Sequence, residues 1–205
     1  MTDPFAGVPA DDLAYFRQMA SKYAASGSSP STPRPAATVV IRRADGRILL
    51  IRRAMGMVFG GRWAFPGGSV EPADQRETQL LTATQAAIRE VHEETELQVE
   101  DLIPWSRWIT PEFEPRRFDT YFFIAQVDAA QDVVANEEAA DHRWITPADA
   151  VAGYHAGELP MLPPTAVTLR ELAALATLDE IKQAAAGRDL DAPILPGTPP
   201  AVGDL

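Results

Sequence analysis

The chain has 205 residues, 46% of them hydrophobic, which suffices for one domain with a packed core and appended segments. Its formal net charge of −11 argues against a nucleic-acid-coating protein, which needs a basic stripe, and the lack of cysteine excludes disulfides, zinc–thiolate sites and a thiol nucleophile. No apolar run approaches membrane-spanning length, and MTDPFAGVPADDL has neither a basic nor an apolar targeting region, so a cytoplasmic protein without membrane contact is expected.

Asp11–Ala25 reads as a helix. Leu13, Phe16, Met19 and Tyr23 form its apolar stripe, and Asp11 and Asp12 sit at the end where the helix dipole favours anions. Ser26–Pro35 is a linker by composition. The stripe must be buried, on its own domain or on a second copy of the chain, and we lean to a homodimer contact. Ala37–Arg42 and Arg47–Ile51 flank Ala44-Asp45-Gly46 as a β-hairpin. Arg52, Arg53 and Arg62 follow as candidate phosphate contacts, weighed against a merely exposed position.

Pro66-Gly67-Gly68 is turn chemistry that lets backbone come close to a ligand. From about Thr82 the periodicity turns helical, with Ala83, Ala87, Ile88 and Val91 on one stripe. Glu90, Glu93 and Glu94 lie on the other face, within one turn of each other. Like charges at that spacing, near the C-terminal end of a helix, destabilise it unless something compensates. A hard divalent cation, Mg²⁺ or Mn²⁺, would do so through carboxylate oxygens and would bridge to substrate phosphates. A solvated acidic face is the alternative, and the Gly-Gly turn with Arg89 inside the cluster tips the balance to the metal.

Farther on, Leu97–Ile109 reads as strand, turn and strand, and Thr110–Arg117 as a charged loop. Phe118–Val127 is the strongest strand in the chain, and His142–Ile145 a short one. Thr146-Pro147 starts a helix, Pro163-Pro164-Thr165 opens another with Val167, Leu169 and Leu172, and Leu178–Ala186 adds a third. The segments divide as 1–36 (helix and linker), 37–186 (domain) and 187–205 (a proline-rich tail, extended unless held). Helix, mixed strands, helix, strands and helices suit an α+β sandwich with a mixed sheet between helices.

Gly68 with Arg89-Glu90-Val91-His92-Glu93-Glu94-Thr95-Glu96-Leu97 resembles the Nudix box, a glycine, a carboxylate six residues on, and REUxEExGU with U aliphatic. The resemblance implies an α/β/α sandwich and a Mg²⁺- or Mn²⁺-dependent hydrolase of small molecules in which a nucleoside diphosphate is linked to another moiety. It implies Glu90, Glu93 and Glu94 as metal ligands, with the Gly67 carbonyl as a further one, and Arg89 as the group that orients the carboxylates. Three departures stand out. Glu96 replaces the box glycine, so the helix is expected to end without an αL residue. The box carboxylate is an aspartate, Asp74, with Glu71 and Glu77 as rivals. Asp74 also lies fifteen residues before Arg89 where the pattern has eight, so residues 75–81 look inserted.

The insertion, FPGG and the PRRFDT segment are similar to the branch of peroxisomal coenzyme A diphosphatases, whereas the arginine of another coenzyme A branch is Met57 here. Coenzyme A or an acyl-CoA is therefore the first substrate guess, with ADP-ribose or a nucleotide sugar second. In PRRFDT, Arg116 and Arg117 are candidate phosphate contacts, of which alternation on a strand admits one, against a salt bridge to Asp119. The attacking water needs a base. Glu93 or Glu94, the distant Glu138 six residues before Trp144, its neighbour Glu137, and Glu112 and Glu114 are the candidates. His92 reads as a surface or packing residue. Two rivals remain: a non-catalytic module binding a nucleotide or ADP-ribose, and, more weakly, a repair enzyme for oxidised nucleotides.

Overall fold

The protein is described by a computed structural model covering residues 8–128, 133–134 and 139–196. Its sheet is built on β1 (Arg34–Arg43), where Val39 and Ile41 point to one face and Val40 to the other. β2 (Ile48–Arg53) returns antiparallel after Asp45-Gly46, with Gly46 at φ 85° as the turn requires. β3 (Trp63–Ala64) pairs antiparallel with β2, and β4 (Gly67–Ser69) pairs antiparallel with β1. β5 (Ile103–Ile109) runs antiparallel to β6 (Phe118–Val127), and β7 (Ala139–Ile145) antiparallel to β2. β6 lies parallel to β1 over the full length of both, so the sheet is mixed.

Helices cover both faces. α2 (Gln79–Thr95) lays Ala83, Ala86, Ala87 and Val91 on Val39, Ile41, Leu49 and Ile51. The small alanines let the helix approach closely. On the other face α3 (Pro147–His155), α4 (Pro163–Ala173) and α5 (Leu178–Ala185) bury Tyr154, Leu169, Leu172 and Ile181 against Val40, Ile48 and Leu50. Each leucine, isoleucine or valine among them contributes about 1.5–3 kcal/mol on leaving water, before entropic costs. The expected sandwich is what forms. Among the described residues no helix is long and apolar enough to cross a membrane.

Four local expectations change. α1 spans Ala10–Ser26, and its stripe, left between own-domain and subunit packing, is buried within the chain: Leu13, Phe16 and Ala20 cluster with Val8 and Phe113. β1 starts at Arg34, inside the stretch read as linker, because β6 offers a parallel edge from Phe118 onward. Residues 97–102 form no strand, although Leu97 and Val99 are buried and Gln98 and Glu100 exposed. Their alternation is packing of extended chain, and Asp101 turns away at φ 50°. Finally, Ile194 of the tail is held on β5, its N–H donating to the Arg107 carbonyl at 2.7 Å and its carbonyl accepting from Ile109 at 3.0 Å.

The end of α2 is a further correction. Glu96 itself adopts the left-handed conformation, φ 58°, and its N–H caps the His92 carbonyl. A side chain there costs about 1–2 kcal/mol, which the buried Thr95 and Leu97 on either side offset by fixing the turn. Replacing the exposed Glu96 by glycine should relieve that strain. Against glycine's larger unfolded-state entropy we expect a net gain of about 0.5–1 kcal/mol, read as a higher urea midpoint, and an unchanged or lower midpoint would refute it.

Candidate active site

The sequence around α2 builds a connected charge cluster. Residues 75–81, which look inserted, become a connector and the first turn of α2, so the helix begins three residues earlier than its periodicity suggests. Thr78 caps it, accepting from the Leu81 N–H at 3.2 Å, and the Arg76 N–H donates to Thr82 Oγ1 at 2.9 Å. The single-turn 3₁₀ segment Pro72–Asp74 then turns Asp74 back toward the helix.

Arg89 is the centre. Its Nε donates to Asp74 Oδ1 at 3.1 Å and its Nη2 to Asp74 Oδ2 at 2.9 Å, a bidentate pair. Nη2 also donates to the Ser69 carbonyl at 3.0 Å. Nη1 donates to Glu90 Oε1 at 3.0 Å and to Glu93 Oε2 at 2.9 Å. Of the three rival carboxylates it is Asp74, only 2% exposed, that meets Arg89, while Glu77 is exposed outside the cleft and Glu71 lends its N–H to Asp74 Oδ2 at 2.8 Å. The Arg89 guanidinium holds the Asp74 carboxyl below the usual carboxylate range, and Asp74 in turn raises Arg89.

The glycine turn is locked to the same helix. The Gly67 N–H donates to Glu94 Oε2 at 2.8 Å, and Glu94 is buried at 3% exposure. Thr38 Oγ1 donates to the Pro66 carbonyl at 2.8 Å, tying the turn to β1. A Cβ on Gly67 would collide with the Ala37 carbonyl, and one on Gly68 with the Glu90 carboxylate. FPGG is therefore glycine because β1 crosses one side of the turn and a box carboxylate fills the other.

Glu90, Glu93, Gly67 and Gly68 line one end of a cleft of about 500 Å³. The same lining includes Phe16, Phe59, Phe113, Phe118 and Pro164, together with Glu114 and Thr165. Arg53 and Arg62 also line it. Arg53 Nε donates to the Val58 carbonyl at 3.0 Å, and Arg62 meets Asp12 at 3.4 Å. Arg52, whose Nε donates to the Gly61 carbonyl, is not among the lining residues.

Other expected residues lie elsewhere. Arg116 is exposed outside the cleft. Arg117 is buried, its Nε donating to the Thr110 carbonyl at 2.9 Å and its Nη1 to the Ser31 carbonyl at 2.8 Å, so it pins the N-terminal segment rather than facing the cleft. Asp119 pairs with Arg107 across β5 and β6 at 2.7 Å, not with either arginine of its own segment. Of the loop glutamates, Glu114 lines the cleft and burial raises its carboxyl, with Arg62 opposing, whereas Glu112 lies outside. Glu137 and Glu138 lie outside the described residues. His92 is exposed and pairs its Nδ1 with the Gln98 amide at 2.9 Å. Among the cleft residues that motif reading misses is Phe16; its stripe demands burial, but nothing in the sequence says against what.

All candidate metal donors at the charged end are oxygens, which suits a hard divalent cation. One guanidinium charge is shared there among Asp74, Glu90 and Glu93, a surplus of negative charge that such a cation fits. Among the described residues no three His, Asp or Glu side chains stand gathered around a common point as they are. Arg89 Nη1 bridges Glu90 and Glu93, and the Gly67 N–H holds Glu94.

Comparison with known proteins follows the same lines. The NUDIX domain family model matches residues 32–164. The nucleoside triphosphatase NudI of Escherichia coli O81 (strain ED1a) is 32% identical over 117 residues, 52% of this chain and 78% of that protein. The acyl-coenzyme A diphosphatase NUDT19 of Xenopus laevis is 33% identical over 92 residues, 42% of this chain but only 24% of that protein. In three dimensions a NUDIX hydrolase from Alicyclobacillus acidocaldarius matches with a TM-score of 0.68 at 24% identity, covering 75% of this chain and 96% of that one. The chain belongs to the NUDIX family, whose relatives are hydrolases of phosphoric anhydrides.

Replacing Asp74 by asparagine should strip Arg89 of its bidentate charge partner and lower stability at neutral pH by about 1–3 kcal/mol. Asp74 has a depressed folded-state pKa, so its contribution is full above the unfolded value of about 4 and is lost as pH falls through the lower folded value. Urea unfolding at pH 7 and again near pH 3 checks this. The gap between the native protein and Asp74→Asn should narrow in acid, and a constant gap would refute the assignment.

Proposed function

We propose that the protein hydrolyses a nucleoside diphosphate linked to another moiety, with coenzyme A or an acyl-CoA first and ADP-ribose or a nucleotide sugar second. The carrying observation is that one cleft is lined both by the carboxylate-and-glycine cluster and by a set of aromatic and proline side chains. Glu90, Glu93 and Glu94, with the Gly67 carbonyl, would hold Mg²⁺ or Mn²⁺. Bound there, the ion supplies charge neutralisation for the diphosphate and acidifies a water.

The chain's own residues do the rest. Arg89, pinned by Asp74, keeps the Glu90 and Glu93 carboxylates in register with the cleft. Arg53, at the end of β2, and Arg62, just before β3, line the same cleft and would pair with the diphosphate. Glu93, more than half exposed, takes the proton of the attacking water. Glu114, which burial keeps more basic than an ordinary carboxyl, is the second base candidate, and Glu138 a third from outside the described residues. The acyl-CoA preference draws on the similarity to NUDT19, and the similarity to NudI supports a nucleoside triphosphate as the rival substrate. The same proposal includes a cytoplasmic location without nucleic-acid or membrane partners, which the acidic charge and composition support, and a homodimer.

Product release from coenzyme A, acyl-CoAs, ADP-ribose, NADH, diadenosine polyphosphates and nucleoside triphosphates, with Mg²⁺ or Mn²⁺, tests this reading. Glu93→Gln should lower kcat by about 100-fold or more while the protein stays folded, and chelation should abolish turnover. Ligand binding without turnover on any member of the panel would favour a non-catalytic binding module instead.

A further inference from the structure

The helix α1, residues 10–26, precedes the stretch that matches the family domain, which begins at residue 32. It nevertheless forms part of the cleft. Phe16, 6% exposed, lines the cleft with Phe113, and their rings meet at 6.3 Å with 47° between planes. One turn earlier on α1, Asp12 meets Arg62, which also lines the cleft. The helix is thus fastened to the cleft wall at two points, one apolar and one ionic.

We propose that α1 is a specificity-determining wall, in which Phe16, backed by Phe113, receives an aliphatic chain carried by the diphosphate substrate. The inference rests on the diphosphatase reading only for the anchoring of the diphosphate at the carboxylate end. Three observations carry it. The Phe16 and Phe113 rings are tilted, so they make no flat-sided slot for a planar base. Phe59, Phe118, Leu162 and Pro164 line the same cleft and add hydrocarbon surface, beside the polar Arg62, Glu114 and Thr165. And a cleft of about 500 Å³ is larger than a bare diphosphate needs, so a chain can enter and remove that apolar wall from water.

The Phe16 side chain is pure hydrocarbon and carries no proton or charge for the reaction, so its role is separable from the chemistry. Calorimetry with non-hydrolysable methylene diphosphonates, in the presence of Mg²⁺, reads it directly. One analogue carries a decyl ester, one a methyl ester and one an adenosine ester. The native protein should bind the decyl analogue at least about tenfold tighter than the methyl one, and Phe16→Ala should erase most of that preference while leaving methyl binding within about twofold. Phe16→Leu should keep most of the preference, and if the alanine variant fails to fold, Phe16→Trp, which narrows the wall, should weaken decyl binding selectively.

Equal weakening of the decyl and methyl analogues, no effect on either, or no decyl preference in the native protein would overturn the proposal. So would a loss confined to the adenosine analogue, or no measurable binding of any of the three. Turnover of the matching hydrolysable esters is followed separately. Its absence, with the Phe16-dependent binding preference intact, counts against the hydrolase reading and leaves the wall standing.

Discussion

The structure depends on where one guanidinium charge is placed. Glu90, Glu93 and Glu94 crowd the C-terminal half of α2, where mutual repulsion and the helix dipole both act against them. Arg89, in the same turn, answers part of that repulsion through Glu90 and Glu93, and reaches across to Asp74 and the Ser69 carbonyl. The pair with Asp74 is only slightly solvated, so salt and water screen it less than a surface ion pair. It therefore ties the segment after the glycine turn to the helix that carries the box carboxylates.

From that tie the rest of the site follows. Glu94 accepts from Gly67, Thr38 donates to Pro66, and the Glu90 carboxylate occupies the space a side chain on Gly68 would need. Turn, strand and helix thus specify one another at close quarters. The result is a stiff charged floor at one end of the cleft, which suits chemistry that depends on positioning charge rather than on a covalent nucleophile. The aromatic part of the lining draws on α1, the loop before β6, β6 and α4, elements outside the box.

Much of this was legible in the chain itself. Helical spacing gathers Glu90, Glu93 and Glu94, Pro66-Gly67-Gly68 announces a close backbone approach, and FDTYFFIAQV reads as a core strand. These are local signals, set by periods of 3.6 and 2 and by glycine's conformational range. Other local signals misled. Leu97 and Val99 alternate with polar residues as a strand would, yet no ladder forms, because burial alternation needs a packing surface and not a hydrogen-bonded neighbour. Glu96 lacks the glycine expected at a left-handed cap but adopts the conformation anyway, since the packing of Thr95 and Leu97 outweighs the local strain.

By itself the sequence determined the elements that carry the chemistry, the oxygen-only donor set and the acidic balance, all properties of residue type and short-range spacing. Only the tertiary structure decided which distant groups meet. Asp74 rather than Glu71 or Glu77 reaches Arg89, Arg117 is spent on the Ser31 and Thr110 carbonyls, and Phe16 becomes cleft wall instead of subunit contact. Those outcomes turn on contacts between segments far apart in the chain. An amphipathic stripe or a lone charge states that it needs a partner; the closure of the fold selects which one it finds.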